Sequence, residues 1–269
     1  MDFIKRRTEL AERNWHDVEC RAAASTWHDT SRKFDYQYMF EWAGRPIIQD
    51  PQDICALQEI IWTYQPNVIV ETGIARGGSL VLSASILAAL AYGEFLHGQS
   101  AKQRTVIGID IDIRSHNRAA IECHPLGPMI ELVEGSSTAA DVVAQVSTKL
   151  HGKVMVILDS NHTRDHVLRE LEIYAPMVSE DSALLVMDTG IEYAPPASFN
   201  VERPWGPGNS PMVAVADFLA TEAGAQFEQD RSIEKRHLLT CAPGGLLIRK
   251  KACEQTTTLR NVPAVPTPE

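Results

Sequence analysis

The apolar positions of the chain alternate between helical stripes and short continuous runs. Residues 53–64 carry Ile54, Leu57, Ile60 and Ile61 at the spacing of one helix face, and Asp50 or Asp53 is placed to cap them. Pro66 ends that helix before the run Val68, Ile69, Val70. Residues 80–92 are almost wholly apolar, which predicts a buried helix and is too short to span a bilayer. Apolar strands are expected at 105–111, 154–158 and 183–187, and a short strand at 129–133. From Asp165 a helix carries Val167, Leu168, Leu171 and Tyr174 on one face and stops at Pro176. Ser210 and Pro211 open a further helix that Gly224 closes. The last strands are expected at 226–229, within 238–240 and at 246–249, with Gly244–Gly245 as a turn. Buried strands alternating with helices predict an α/β fold: a doubly wound, Rossmann-like sheet, mostly parallel, with one antiparallel strand.

The first 35 residues are polar and charged with little apolar periodicity, so residues 1–50 read as an N-terminal helical arm. Residues 51–253 form the main domain, and the Thr/Pro-rich residues 254–269 a flexible tail. The Pro/Gly-rich stretch 195–211, with Trp205, is long enough to be a functional loop.

The candidate chemistry sits at strand ends. Glu71 closes the first strand, and Gly73, Gly77, Gly78 and Ser79 follow at the start of a helix, with Ser79 as a possible cap. This is neither GxGxxG nor a P-loop. A carboxylate beside a helix N-terminus suits a ligand that joins a cation to a carboxylate, as the amino-acid end of S-adenosylmethionine does. Asp110 ends the second strand, where a carboxylate holds ribose hydroxyls, with Asp112 and Arg114 as an adjacent pair. Ser136, after the third strand, is placed to line an adenine pocket. Asp159 and Asp188 end what should be neighbouring strands. Two such carboxylates call for a cation between them, and oxygen ligands suit Mg²⁺. His162, three residues past Asp159, is the candidate general base, and His166 reads as a packing residue.

Composition narrows the partners. The net charge of −10 over 269 residues disfavours nucleic acid and anionic membrane and is compatible with neutral or cationic substrates. Five scattered cysteines without a CxxC pair point to reduced thiols in a cytoplasmic protein and away from zinc. The N-terminal residues lack the apolar core of a signal peptide.

Several segments together carry a family likeness. They are Trp42-x-Gly44-x-Pro46, Gln49-x-Pro51-x-Asp53, Glu71-Thr72-Gly73-Ile74-Ala75-x-Gly77-Gly78-Ser79, and Gly108 through Arg114. Leu158-Asp159-Ser160-x-His162, Gly206-Pro207 with Pro211, and Pro243-Gly244-Gly245 complete the set. From about residue 42 to 249 the chain resembles the cephalosporin hydroxylase/rhamnosyl O-methyltransferase family. The resemblance implies a class I S-adenosylmethionine-dependent methyltransferase with Mg²⁺ near the methyl group. It also implies homo-oligomers and acceptors from antibiotic or cell-surface glycoside pathways. One departure stands out: the family pairs Glu with Asp after the DSxH strand, and here the pair is Met187-Asp188. A thioether is a poor ligand for a hard cation, so Glu192 or water would have to replace it. An amine needs no Lewis acid to become a nucleophile, which keeps N-methylation of an amino sugar beside O-methylation of a sugar hydroxyl.

On this reading Glu71 and the loop Gly73, Gly77, Gly78, Ser79 hold the methionine end, with Asp110, Asp112, Ser136 and Asp159 completing the cofactor site. Asp159 and Asp188 hold the metal, and His162 and Asp159 are catalytic. Two rival readings are an NAD-dependent sugar oxidoreductase, disfavoured by the absent GxGxxG, and a non-catalytic partner of a tailoring enzyme.

Overall fold

The computed structural model describes residues 2–195 and 202–251. The tail expected at 254–269 and part of the loop expected at 195–211 lie outside the described residues.

Two helices, α1 (Phe3–His16) and α2 (Val18–Arg32), form the arm. Asp2 and Asp17 cap them by accepting the N–H groups of Ile4 and Cys20. A short antiparallel hairpin follows, β1 (Phe40–Trp42) and β2 (Arg45–Ile47), and it carries no periodicity long enough to betray it in the sequence. Then come α3 (Pro51–Tyr64), β3 (Val68–Thr72), α4 (Gly78–Leu96), β4 (Thr105–Asp110), α5 (Ser115–Glu122), β5 (Ile130–Glu134) and α6 (Ala140–Ser147). The chain continues through β6 (Val154–Leu158), α7 (Arg164–Tyr174), β7 (Ala183–Val186), α8 (Pro211–Leu219), β8 (Phe227–Gln229), α9 (Ser232–His237) and β9 (Leu246–Arg249).

Seven strands make the main sheet in the order β5-β4-β3-β6-β7-β9-β8. The strands β3 to β7 are parallel, and β9 runs antiparallel to both of its neighbours, β7 and β8. The expected antiparallel strand therefore exists, slotted one place in from the edge. Strand residues alternate between two cores. Ile69, Met155 and Ile157 pack toward α3 and α4, while Val68, Val70, Val156 and Leu158 pack toward the α7–α8 side. Burial on both faces explains why these strands read as continuous apolar runs.

Several local expectations change. The segment 238–240 is not a strand: α9 precedes it, Leu238 turns left-handed at φ 59°, and Thr240 Oγ1 and Cys241 N–H both donate to Asp53. Asp53 is thus a buried anchor for that segment and caps no helix; Asp50 occupies the N-cap position of α3 without a side-chain hydrogen bond. Helix α8 ends at Leu219, before Gly224. That glycine starts a 3₁₀ turn where a Cβ would fall 2.0 Å from the carbonyl oxygen of Phe218. Helix α4 runs to 19 residues, long and apolar enough to cross a membrane by length alone, but Leu80, Val81, Leu82, Ala84, Ile86, Leu87 and Leu90 are buried in the fold.

Candidate active site

The strands switch direction of crossover between β3 and β6, and a cleft of about 460 Å³ opens at the carboxyl ends of the strands around that point. One wall is the β3–α4 loop. Gly73, at φ 80°, sits where a Cβ would come within 2.1 Å of the Asp159 carbonyl oxygen, so only glycine lets the β3 and β6 ends approach this closely. Gly78 meets the hairpin in the same way, with Pro46 O at 2.3 Å and Ile47 Cα at 2.7 Å from the position of a Cβ. The loop is braced from outside as well. Arg45 donates to the carbonyl of Arg76, and Asn117 Nδ2 donates to that of Ala75 at 3.2 Å.

Glu71 lies buried under this loop. Ser79 does not cap α4. Gly77 holds that position, and the Ser79 hydroxyl donates to Glu71 Oε1, leaving Oε2 buried without a partner among the described residues. Burial pushes the Glu71 carboxyl up to about 7, with the Ser79 bond opposing. Asp110 reaches the cleft with each oxygen aligned by a backbone donor: Ile74 N–H to Oδ2 at 3.0 Å and Asp112 N–H to Oδ1 at 3.2 Å. Asp112 itself is exposed and faces Arg114 at 4.0 Å. Ser136 bonds Thr138 at 3.1 Å. Gly73, Gly78, Ser79 and Asp110 line the cleft, whereas Asp112, Ser136 and Gly77 do not form its wall.

On the opposite side Asp159, His162 and Asp188 converge, each offering a ligand atom within 4.8 Å of the others. Asp188 stands at φ 56°, a left-handed turn at the end of β7 that aspartate tolerates better than most residues, and its Oδ2 lies 3.2 Å from His162 Nε2. Burial, then the charges of Asp188 and Glu71, push the Asp159 carboxyl well above the usual range. The His162 ring meets Trp205 edge-on at 4.9 Å, and the Arg203 guanidinium covers the Trp205 ring at 5.3 Å. Met187 is buried beside the triad. Glu192, the suggested replacement ligand, is engaged elsewhere: it accepts from Gly208 N–H and from the Ser210 hydroxyl at 2.6 Å, fixing the 206–210 turn. His166 bonds Ser137 at 3.2 Å and Ser160 at 3.1 Å, inside the fold.

Sequence patterns did not point to the remaining wall. The end of the arm contributes Arg32, Asp35 and Tyr38, and the segment before α3 contributes Gln49 and Asp50. His28 Nε2 stands 3.7 Å from Asp50, and burial followed by Arg32 pushes the imidazole down to about 4, so it is neutral at pH 7. Gln49 was visible as part of a motif; Arg32 and Asp35 had no signal at all.

A glycine loop over a buried glutamate, an aspartate ending the neighbouring strand and a seven-stranded sheet with one reversed strand define a class I S-adenosylmethionine-dependent methyltransferase. The rhamnosyl O-methyltransferase/CmcI family model matches residues 34–250, and the chain belongs to that family. A rhamnosyl O-methyltransferase of Mycobacterium tuberculosis is 31% identical over 202 residues, 73% of each chain. One from Mycobacterium leprae is 28% identical and covers 78% of this chain and 82% of its own. Among solved structures, an apo-structure of CmcI superposes with a TM-score of 0.54 at 17% identity, covering 80% of this chain and 78% of its own. CmcI with Mg and SAM gives 0.51 at 16%, with the same coverage of both chains.

Proposed function

We propose that the protein transfers the methyl group of S-adenosylmethionine to a hydroxyl of a deoxysugar such as rhamnose, carried on a glycoside of antibiotic or cell-surface type. The supporting observation is the facing pair of half-sites in one cleft: Asp110 and the glycine loop on one wall, and the triad Asp159, His162, Asp188 on the other. The curated relatives are rhamnosyl O-methyltransferases, which supports the sugar acceptor.

In this reading Glu71 and the start of α4 hold the methionine end and Asp110 the ribose; Asp112 and Ser136 are retained as peripheral cofactor residues. Methyl transfer is an in-line displacement at the sulfonium, so the residues act mainly by aligning acceptor oxygen, methyl carbon and sulfur. His162, oriented by Asp188, takes the acceptor proton. Trp205 and the arm residues Arg32 and Tyr38 select the acceptor. The carboxylates of Asp159 and Asp188 fit a divalent cation, Mg²⁺ by expectation, because the like charges around Asp159 need a counter-charge. Such an ion, when bound, lowers the pKa of an acceptor hydroxyl.

Met187 favours one second reading, N-methylation of an amino sugar, since an amine dispenses with the missing carboxylate. Homo-oligomers and a cytoplasmic location belong to the proposal too. Helix α1 buries none of its residues and leaves Phe3 and Ile4 exposed, which supports self-association. The division into arm (1–50), catalytic domain (51–253) and tail (254–269) is retained as a proposal.

Titration of chelator-treated protein with S-adenosylmethionine, repeated with Mg²⁺, tests the cofactor. Labelled-methyl transfer to rhamnosides and to amino sugars then tests the acceptor. Absence of cofactor binding overturns the proposal, and methylation of amino sugars alone replaces it with the second reading.

A further inference from the structure

Buried side-chain atoms of this region without a hydrogen-bond partner among the described residues include His28 Nε2, beside Asp50, and two oxygen acceptors, Glu71 Oε2 and Gln49 Oε1. An orphan of this kind is costly unless a ligand completes it. Gln49 is only 6% exposed, yet it lines the same cleft as Gly78 and Ser79, the residue that bonds Glu71.

The path of the chain fixes its place. Pro46 and Ile47 lie directly across Gly78, at the start of α4. Asp50, four residues past Pro46, has already reached His28 and the electrostatic neighbourhood of Arg32 and Asp188. Gln49 therefore lies between the methionine-binding helix start and the acceptor triad. Both of these oxygens accept, so the ligand group they complement is a hydrogen-bond donor, and an ionised Glu71 favours one that carries positive charge.

We infer that Gln49 Oε1 accepts a hydrogen bond from the α-ammonium of S-adenosylmethionine, sharing that group with Glu71. An ammonium carries three N–H donors, more than one carboxylate oxygen satisfies. The segment that bears Gln49 also closes over Gly78, so cofactor binding ties the hairpin to the sheet. The inference rests on the reading of this cleft as the S-adenosylmethionine site.

The test compares Gln49→Met, of similar shape but without the acceptor, with Gln49→Glu, which keeps an acceptor and loses the donor. Calorimetric affinities are measured for S-adenosylmethionine and for 5′-methylthioadenosine, which lacks the amino-acid end. Gln49→Met is expected to weaken S-adenosylmethionine about tenfold, in the range for one hydrogen bond to a charged group, and to leave methylthioadenosine unchanged. Gln49→Glu is expected to bind S-adenosylmethionine at least as tightly as the wild type. Unchanged affinity in Gln49→Met overturns the inference, as does an equal loss for both ligands. A large loss in Gln49→Glu also overturns it, because that result puts the amide N–H groups against the cofactor's carboxylate. A wild type that binds neither ligand overturns the cofactor reading itself.

Discussion

Replacing Glu71 with Gln is expected to stabilise the free protein while weakening its hold on the cofactor. Burial raises the Glu71 carboxyl from 4.5 to about 7. Because this acid binds its proton more tightly folded than unfolded, stability falls as pH rises from about 4.5 to about 7 and stays lower above that. At about 1.4 kcal/mol per pKa unit, the ionised Glu71 disfavours the folded state by about 3 kcal/mol at pH 8. The amide that Glu71→Gln introduces is neutral throughout and also removes one of the charges that press on Asp159. Urea unfolding should show the variant more stable by up to about 3 kcal/mol at pH 8 and by about 1 kcal/mol or less at pH 5. An ammonium bound at Glu71 favours the carboxylate, so cofactor binding near pH 6 should expel a proton. The binding enthalpy of the wild type should then vary with the ionisation enthalpy of the buffer, and that of Glu71→Gln should vary less. A stability difference that is the same at both pH values would refute the assignment of Glu71 as a strained, cofactor-relieved carboxylate.

Asp110→Ala removes the acceptor for the Ile74 and Asp112 amides and the expected ribose contact; S-adenosylmethionine affinity should fall about tenfold or more by calorimetry. Gly73→Ala puts a Cβ into the Asp159 backbone at φ 80°, and thermal denaturation should show a loss of about 1–3 kcal/mol together with weaker cofactor binding. Met187→Glu adds a hard oxygen donor beside Asp159 and Asp188. Mg²⁺ affinity by calorimetry should rise about tenfold or more, while the metal-free variant melts lower because Met187 is buried in the apolar core.

The sheet was legible because its information is local. A strand buried on both faces must be a continuous apolar run, and the runs at 105–111, 154–158 and 183–187 fell within one residue of β4, β6 and β7; the edge strand expected at 129–133, only partly buried, fell within one residue of β5. The hairpin β1–β2 escaped notice because three-residue strands have no period to detect. The supposed strand at 238–240 failed for a tertiary reason: Asp53, far away in sequence, claims Thr240 and Cys241 by hydrogen bonds. Ser79 and Ser210 both looked like helix caps by residue type. Each hydroxyl instead serves a glutamate, Glu71 and Glu192, which a local rule cannot foresee.

The same distinction divides the site. One part of it is made of strand ends and the loops that leave them, so Glu71, Gly73, Asp110, Asp159 and Asp188 can each be found by locating a strand and reading the residues around its carboxyl end. The rest of the cleft is assembled from the end of an arm helix (Arg32), the residues before α3 (Gln49, Asp50) and a distant loop (Arg203, Trp205). No spacing rule links those segments; only the fold brings them together. Met187 lines the cleft next to Asp188 and, on the proposed function, stands where the chemistry of the acceptor decides how much help its proton needs in leaving. Under that proposal metal dependence and acceptor identity vary together, and Met187 is the residue through which to test it.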